Sequence, residues 1–380
     1  MRNFGKFLGF IGLLIGLSLI IGCGGQTTEN DILIGEYSSL TGTTATFGQS
    51  THRGLILAVE DVNAAGGVLG KKVKLLTEDT QSKPEEAAIA VTKLITRDKV
   101  KAIIGEVSSS RSLAAAPICQ ANGIPMVSNA STNPEVTKKG DYIFRVCYID
   151  PFQGEVMAKF TFNSLNLRKV AVLKDIKNDY SVGLAQFFEE TFISLGGQIV
   201  ANQAYSEGDT DFKAQLTALK AANPEAIIVP GYYTEVALIV KQAREFNMTI
   251  PLIGGDGWDS SKLLEIGGEA MNNTFFTTAY TADSPDSLVQ KFVTRYRERN
   301  NETPDAMAAL GYDAGLILFD AIQRAGSVEG AKVRDALAAT RDFRGVTGSI
   351  SIDENRNARK PVVIIAPMNG QMTYRETIQP

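Results

Sequence analysis

The chain has 380 residues, of which 44% are hydrophobic and 21% charged, as in globular proteins large enough for two domains. Its net charge of -4 and the absence of a Lys/Arg cluster argue against a nucleic-acid partner. The single histidine, His52, is expected to be a solvated surface residue, and it leaves almost no basis for a histidine metal centre or a Ser/His triad. We therefore expect a protein that is not an enzyme and that holds no metal and no cofactor.

The first 22 residues are typical of a secretory signal. Arg2 and Lys6 precede an apolar stretch, and Cys23 directly follows the small residue Gly22. This junction resembles a bacterial lipobox, which predicts that residues 1–22 are removed and that Cys23 is lipidated. Residues 23–30 would be a polar tether, and the protein would lie in the periplasm or cell envelope. The alternative is an uncleaved membrane anchor, for which the apolar stretch is short.

Strands and helices are predicted to alternate from residue 31. Apolar strands are expected at residues 31–35, 72–77 and 100–104, and helices at 50–65 and 84–95. The pattern restarts after Asp150-Pro151. Its predicted helices are 153–164, 181–195, 211–222, 234–246, 287–300, 306–325 and 333–339. Its predicted strands are 169–173, 198–204, 226–230, 251–254, 273–280, 348–352 and 361–367. This rhythm predicts two similar α/β halves, each with a parallel, doubly wound sheet.

Two successive strands of the first half break into runs of small hydroxyl residues. The first run is Ser108-Ser-Ser110, and the second is Ser128-Asn-Ala-Ser-Thr-Asn-Pro134. Strand ends in such sheets collect ligands, and a Ser-rich helix start offers N–H groups and hydroxyls that suit a carboxylate. The alternative is that Ser108 to Ser110 only cap a helix.

Polar and aromatic residues also follow the strands of the second half. They are Tyr180, Gly231-Tyr-Tyr233 and Gly255-Asp-Gly-Trp258. Asp256 could be a turn residue between glycines, and the tyrosines could simply pack at the sheet end. A cleft between two lobes would nonetheless gather polar groups at the strand ends of both halves.

Several stretches together resemble a known family, the type I periplasmic binding proteins of ABC transporters, specifically the branched-chain amino-acid (Leu/Ile/Val) group. They are Ile34-Gly-Glu-Tyr-Ser-Ser-Leu-Thr-Gly42, Ala58-Val-Glu-Asp-Val-Asn-Ala-Ala-Gly-Gly67, Ala130-Ser-Thr-Asn-Pro134, Phe144-Arg-Val146, Gly208-Asp-Thr-Asp-Phe212, Gly231-Tyr-Tyr233 and Gly311-Tyr-Asp313. The resemblance covers nearly all of the mature chain. It implies two Rossmann-like lobes joined by three crossovers, residues 31–150 with 281–352 and residues 151–280 with 353–380.

The resemblance also implies roles for residues of the cleft. Ser109, Ala130, Ser131 and Thr132 would be ligand-binding residues. The hydroxyls of Ser109 and Thr132, with the N–H of Thr132, would bind an α-carboxylate, and the Ala130 carbonyl would accept from the α-ammonium. Asp256, where the family often has glutamate, would be the counter-ion. From the second lobe Tyr180 and Tyr232 would close on the ligand. Phe47 would cover the ligand side chain.

The implied function is capture of an amino acid of the branched-chain or aliphatic class and its delivery to an ABC permease by a monomeric protein. The main alternative is a receptor of the same fold that senses amides or other small carboxylates. Glu106 could form a structural salt bridge, or it could line the pocket and disfavour acidic ligands. Cys119 and Cys147 could pair, although two buried thiols are the expected state.

Overall fold

The computed structural model describes residues 31–380, and the predicted signal, Cys23 and tether lie outside the described residues. The strands are β1 Ile32–Ser38, β2 Val73–Asp79, β3 Ala102–Ile104, β4 Met126–Ser128, β5 Ile143–Arg145, β6 Lys169–Asp175, β7 Gln198–Tyr205, β8 Ala226–Ile228, β9 Leu252–Gly254, β10 Thr274–Thr278, β11 Phe343–Gly345, β12 Gly348–Ile352, β13 Ala358–Arg359, β14 Val362–Met368 and β15 Gln371–Ile378. The α-helices are α1 Ala45–Ala64, α2 Pro84–Thr96, α3 Ser109–Ala121, α4 Asp150–Lys159, α5 Asp179–Ser194, α6 Lys213–Ala221, α7 Tyr233–Glu245, α8 Ser261–Gly267, α9 Ser287–Asn300, α10 Ala306–Ala325 and α11 Gly330–Ala338.

The first sheet is parallel, with strand order β2-β1-β3-β4-β5. Successive side chains of a strand point to opposite faces, so a strand buried on both sides is apolar throughout. In β3, Ile103 packs with residues of α2 and α3, and Ile104 packs with those of α1 and α10. Helices therefore cover both faces, as the doubly wound prediction requires.

The second sheet has the order β15-β14-β10-β9-β8-β6-β7. Strands β10, β9, β8, β6 and β7 run parallel to one another, whereas β14 and β15 add an antiparallel hairpin at one edge. The sequence pattern predicted the strand at 361–367 but not β15. Half of the β15 residues are exposed, so it lacks the apolar run that marks an interior strand.

Strands β11, β12 and β13 form a third, small antiparallel sheet where the chain crosses between the halves. The bounds predicted for the two lobes remain a prediction. Cys119 and Cys147 are both free and buried, as expected. Within residues 31–380, no helix is long and apolar enough to cross a membrane.

Two local predictions were wrong in instructive ways. Helix α1 begins at Ala45 rather than Ser50, so Phe47 lies in its first turn and not in a loop. The expected solvated His52 is only one-third exposed, and its Nδ1 lies 2.6 Å from Oε2 of buried Glu36. That carboxylate raises the pKa of His52 through the hydrogen bond. The histidine thus has a structural partner within the first half.

Candidate ligand-binding site

The strand ends of the first half place hydroxyl groups at the cleft. Ser109 is the first residue of α3, and its Oγ accepts a hydrogen bond from the backbone N–H of Asn133 at 3.2 Å. Thr132 is 1% exposed, and its Oγ1 has no hydrogen-bond partner among the described residues. A buried hydroxyl without a partner is costly unless something else binds it. Thr132 is therefore a strong candidate for a ligand contact.

The alternative that Ser108 to Ser110 only cap a helix does not fit their side-chain contacts. Ser108 is the N-cap of α3, but its side chain makes no capping bond. Ser110 Oγ instead accepts from the N–H of Asp179 in the second half, at 3.0 Å. Ser131 differs from its neighbours, because its hydroxyl donates to the Glu106 carbonyl at 2.7 Å. Ser131 thus supports the loop, while Ala130, also buried, lies beside it.

Asp256 begins a short 3-10 turn directly after β9 and is almost fully buried. Its Oδ1 accepts from Gln153 Nε2 at 2.9 Å. The flanking glycines allow this crowding: a Cβ at Gly255 would lie 2.3 Å from the Tyr180 hydroxyl, and one at Gly257 would lie 2.8 Å from the Tyr232 ring. The glycines therefore allow the Tyr180 and Tyr232 rings to pack close to Asp256. A residue that served only the turn would not require this packing.

Three aromatic rings close over the same place. Tyr180 and Tyr232 stack with centroids 5.4 Å apart, and Phe47 meets Tyr232 edge-on at 5.5 Å. Phe47 comes from the first half and the two tyrosines from the second, so the stack spans the cleft. Tyr232 is buried, and its hydroxyl forms no hydrogen bond of good geometry among residues 31–380, although Ser108 and Asn178 lie close enough to lower its pKa. Sheet-end packing explains the ring contacts but not that hydroxyl.

Sequence analysis missed two residues of this site, Asp150 and Gln153. Both begin α4, which starts at Asp150 rather than at the predicted Gln153. Asp150 is fully buried, and neither carboxyl oxygen has a hydrogen-bond partner in the described chain. Its backbone N–H donates to the Thr132 carbonyl at 3.0 Å. The Asp150-Pro151 pair marked the restart of the fold, and an acid in a first helical turn was the available signal.

The site contains two carboxyl groups, Asp150 and Asp256, whose pKa values are raised. Burial raises the pKa of Asp150 well above its usual range; the nearby Thr132 hydroxyl lowers it, and Asp256 raises it further. Burial also raises the pKa of Asp256, to about 6, against hydrogen bonds from Gln153 and Tyr180 that lower it. A cation placed between these carboxyls would stabilise both in their charged form.

Of the two roles considered for Glu106, the structure supports the structural salt bridge. Its carboxylate accepts from Ser39 and Thr80 at about 3.0 Å, and Arg111 Nη1 lies 3.2 Å from Oε1. With three partners of its own half, this buried acid is already neutralised and hydrogen-bonded. It contributes to the shape of the loop before α3 rather than an unpaired charge.

Comparison with known proteins identifies the family. A family model described as "Periplasmic binding protein" matches residues 31–370. The chain belongs to the periplasmic binding protein family. This membership implies an extracytoplasmic location, and the resemblance inferred from the sequence motifs is confirmed.

Individual members of the family agree in fold and extent. A Leu/Ile/Val-binding protein, BraC3, of Rhizobium johnstonii is 32% identical over 85% of this chain and 88% of its own length. The crystal structure of a leucine-binding protein, LivK, from Thermotoga maritima is 44% identical with a TM-score of 0.89, covering 92% and 99% of the two chains. That of LivJ from Streptococcus pneumoniae, in complex with isoleucine, is 34% identical with a TM-score of 0.88, covering 92% and 100%. The predicted two-lobed α/β periplasmic binding fold is confirmed.

Proposed function

We propose that this periplasmic binding protein captures an α-amino acid with an aliphatic side chain in its cleft and delivers it to an ABC permease. One observation carries the proposal: unpartnered groups of opposite character converge on the cleft. Thr132 Oγ1 supplies a donor, and Asp150 supplies two carboxyl oxygens. A zwitterion needs donors for its carboxylate and acid for its ammonium, and such charge-assisted bonds are the strong ones.

The individual roles follow from this arrangement. Ser109 and Thr132 bind the carboxylate, helped by the N–H of Thr132, and the Ala130 carbonyl accepts from the ammonium. Asp256 neutralises the ammonium together with Asp150. Phe47, Tyr180 and Tyr232 close around the side chain, and their rings suit an apolar group. The bound isoleucine of LivJ and the names of BraC3, a Leu/Ile/Val-binding protein, and LivK, a leucine-binding protein, support a branched-chain ligand.

Ligand capture works through closure of two lobes, which we assign to residues 31–150 with 281–352 and residues 151–280 with 353–380. Contacts across the cleft already join them: Thr234 Oγ1 donates to the Thr43 carbonyl at 3.1 Å, and Arg111 lies 3.6 Å from Glu207. A ligand that touches both lobes stabilises the closed state relative to the open one. No bond of the ligand changes in this mechanism, so the protein is not an enzyme.

A first test separates recognition of an amino acid from recognition of a simple carboxylate. Leucine and its deamino analogue 4-methylpentanoate are titrated calorimetrically into wild type and Asp256→Asn. The variant keeps the shape of the side chain but loses its charge. Leucine affinity should fall at least about tenfold, the effect of one charge-assisted bond, and affinity for 4-methylpentanoate should change much less.

Asp179→Asn is the matched control, because this exposed acid lies at the start of α5 near the same cleft. Equal losses for both ligands, or none, would contradict the counter-ion role of Asp256. A wild type that binds 4-methylpentanoate as tightly as leucine would favour the receptor for small carboxylates. A permease gene beside that of the protein would separate transport from sensing.

The membrane attachment belongs to the same proposal. We assign Cys23 as a lipidated N-terminus that follows a cleaved signal and holds a monomer at the membrane by its lipid alone. Cys23→Ser should leave the protein unprocessed or release it. Recovery of this variant in the membrane fraction at mature size would contradict lipidation.

A further inference from the structure

A cavity separate from the cleft residues described above lies at the crossing between the two halves. It occupies about 330 Å³ between the turn after β9, the end of β10 and the start of α10. We call it the hinge cavity. The assigned cleft residues Phe47, Tyr180, Tyr232 and Asp256 do not line it. Its volume lies in the range of small-molecule sites.

Two partly buried carboxyl groups face the hinge cavity from opposite halves. Asp259 follows Asp256 in the second half and accepts from the Thr278 hydroxyl at 2.5 Å. Asp305 caps α10, which packs on α1 of the first half, and accepts from the Ala308 N–H at 2.9 Å and from Ser50. Burial raises the pKa of Asp259, and Asp305 raises it further. Two negative charges here are therefore unfavourable without a cation.

Tyr280 gives an independent indication of a ligand. It lines the hinge cavity, is 5% exposed, and its hydroxyl has no partner in the described part of the chain. Burial raises the pKa of Tyr280; Asp305, Asp259 and Asp313 raise it further, and Arg297 lowers it. The ring is fixed edge-on against Phe292 at 6.2 Å. A rigid, buried and unpartnered hydroxyl thus lies beside two acids.

The other walls of the hinge cavity are largely apolar and include Leu264, Phe276, Ile365 and Met372. Arg53, whose charge lowers the pKa of Asp305, already has other partners: its Nε lies 2.7 Å from Glu302 and 3.1 Å from the Tyr296 hydroxyl. Arg297 also acts on Tyr280, but its guanidinium donates to the Thr303 hydroxyl. Two carboxyls beside a largely apolar wall suit an organic ammonium ion with a short hydrocarbon body.

We propose that the hinge cavity binds a small aliphatic ammonium ion, separately from the amino acid in the cleft. Its N–H donors would bond to Asp259, Asp305 and the Tyr280 oxygen, and its hydrocarbon part would contact the apolar wall. Because the two acids belong to different halves, the bound cation bridges them. It would therefore favour the closed form and couple positively to ligand binding in the cleft.

The test uses n-butylammonium chloride as the probe, titrated into the protein with and without saturating leucine. Wild type should bind it saturably in both conditions, and neutral 1-butanol should bind far more weakly. Asp259→Asn should weaken amine binding about tenfold or more, and Tyr280→Phe about fivefold, as expected for a charged and a neutral hydrogen-bond partner. Tyr280→Phe removes a hydroxyl that bonds to nothing in the described residues, so its fold should be intact.

Asp256→Asn locates the amine. Unchanged amine binding in this variant supports the hinge cavity, whereas loss of binding would place the amine in the cleft and overturn the proposal. Competition by leucine, equal binding of 1-butanol, or no saturable binding to wild type would also overturn it. Amine binding is measured without leucine as well, so failure of the amino-acid assignment does not affect the result.

Discussion

Two regions of this protein bury aspartates, and they do so in opposite ways. In the crossover region, Asp313 of α10 accepts from the N–H groups of Val346 and Thr347 at 2.8 and 2.9 Å, and Lys360 Nζ lies 4.0 Å away. In the cleft, equally buried Asp150 has no partner for either oxygen among the described residues. Burial alone therefore does not distinguish structure from function. The presence or absence of partners does, because an unpartnered buried charge is costly to the protein by itself.

The largest effect is expected in the crossover region. Asp313→Asn would leave Lys360, which is fully buried and has its pKa lowered to about 8 by burial, without its carboxylate. Breaking such a pair typically costs about 3–5 kcal/mol of unfolding free energy. Urea unfolding measures the loss. The exposed Asp335→Asn should cost under about 1 kcal/mol. Equal stability of both variants would mean that the pair does not hold the crossover.

The cleft aspartate should behave in the reverse manner. Asp150→Asn should lower leucine affinity about tenfold or more by calorimetry, because it removes a charge next to the proposed ammonium. Its unfolding free energy without ligand should stay the same or rise, since an unpartnered buried acid is replaced by a neutral group. A loss of stability like that of Asp313→Asn would show that Asp150 is structural.

The pH dependence sharpens the same contrast. Since the pKa of unliganded Asp256 is about 6, lowering the pH from 7 to 5 should protonate it and weaken leucine binding, approaching tenfold per pH unit below 6. Stability without ligand has the opposite sign. The folded-state pKa lies above the ordinary 3.8, so this group adds stability as the pH falls from about 6 to about 4. In Asp256→Asn, leucine affinity and the free energy of unfolding should both lose the part of their pH dependence that comes from this carboxyl.

The smallest effect is spectroscopic. Trp258 lies two residues after Asp256 in the same turn, is fully buried, and donates from Nε1 to the Val229 carbonyl at 2.9 Å. Its emission should shift slightly on leucine addition, because the indole is already shielded from water. Asp150→Asn should need more leucine for the same shift. An emission unchanged at saturation would show that the turn does not respond to the cleft.

The sequence could predict most strands and helices and the strand-end residues, because period and turn chemistry are local. It could not predict that α1 starts at Ala45, since no polar cap bond marks that start. It missed Asp150 because partner satisfaction depends on which groups meet after folding. Glu106 follows a predicted strand and Asp150 precedes a predicted helix. Only three-dimensional contacts separate the paired acid from the unpaired one.

The packing of α1 against α10 has a consequence for how the protein is made. Tyr312 of α10 donates to Asp61 of α1 at 2.7 Å, although the two residues are 251 positions apart in the chain. During synthesis, the side of the first sheet that α1 covers stays incomplete until nearly the whole second half has left the ribosome. Folds dominated by such distant contacts form slowly. Such a delay would suit the export signal predicted at residues 1–22, because the chain would reach the secretion machinery before its first half could fold.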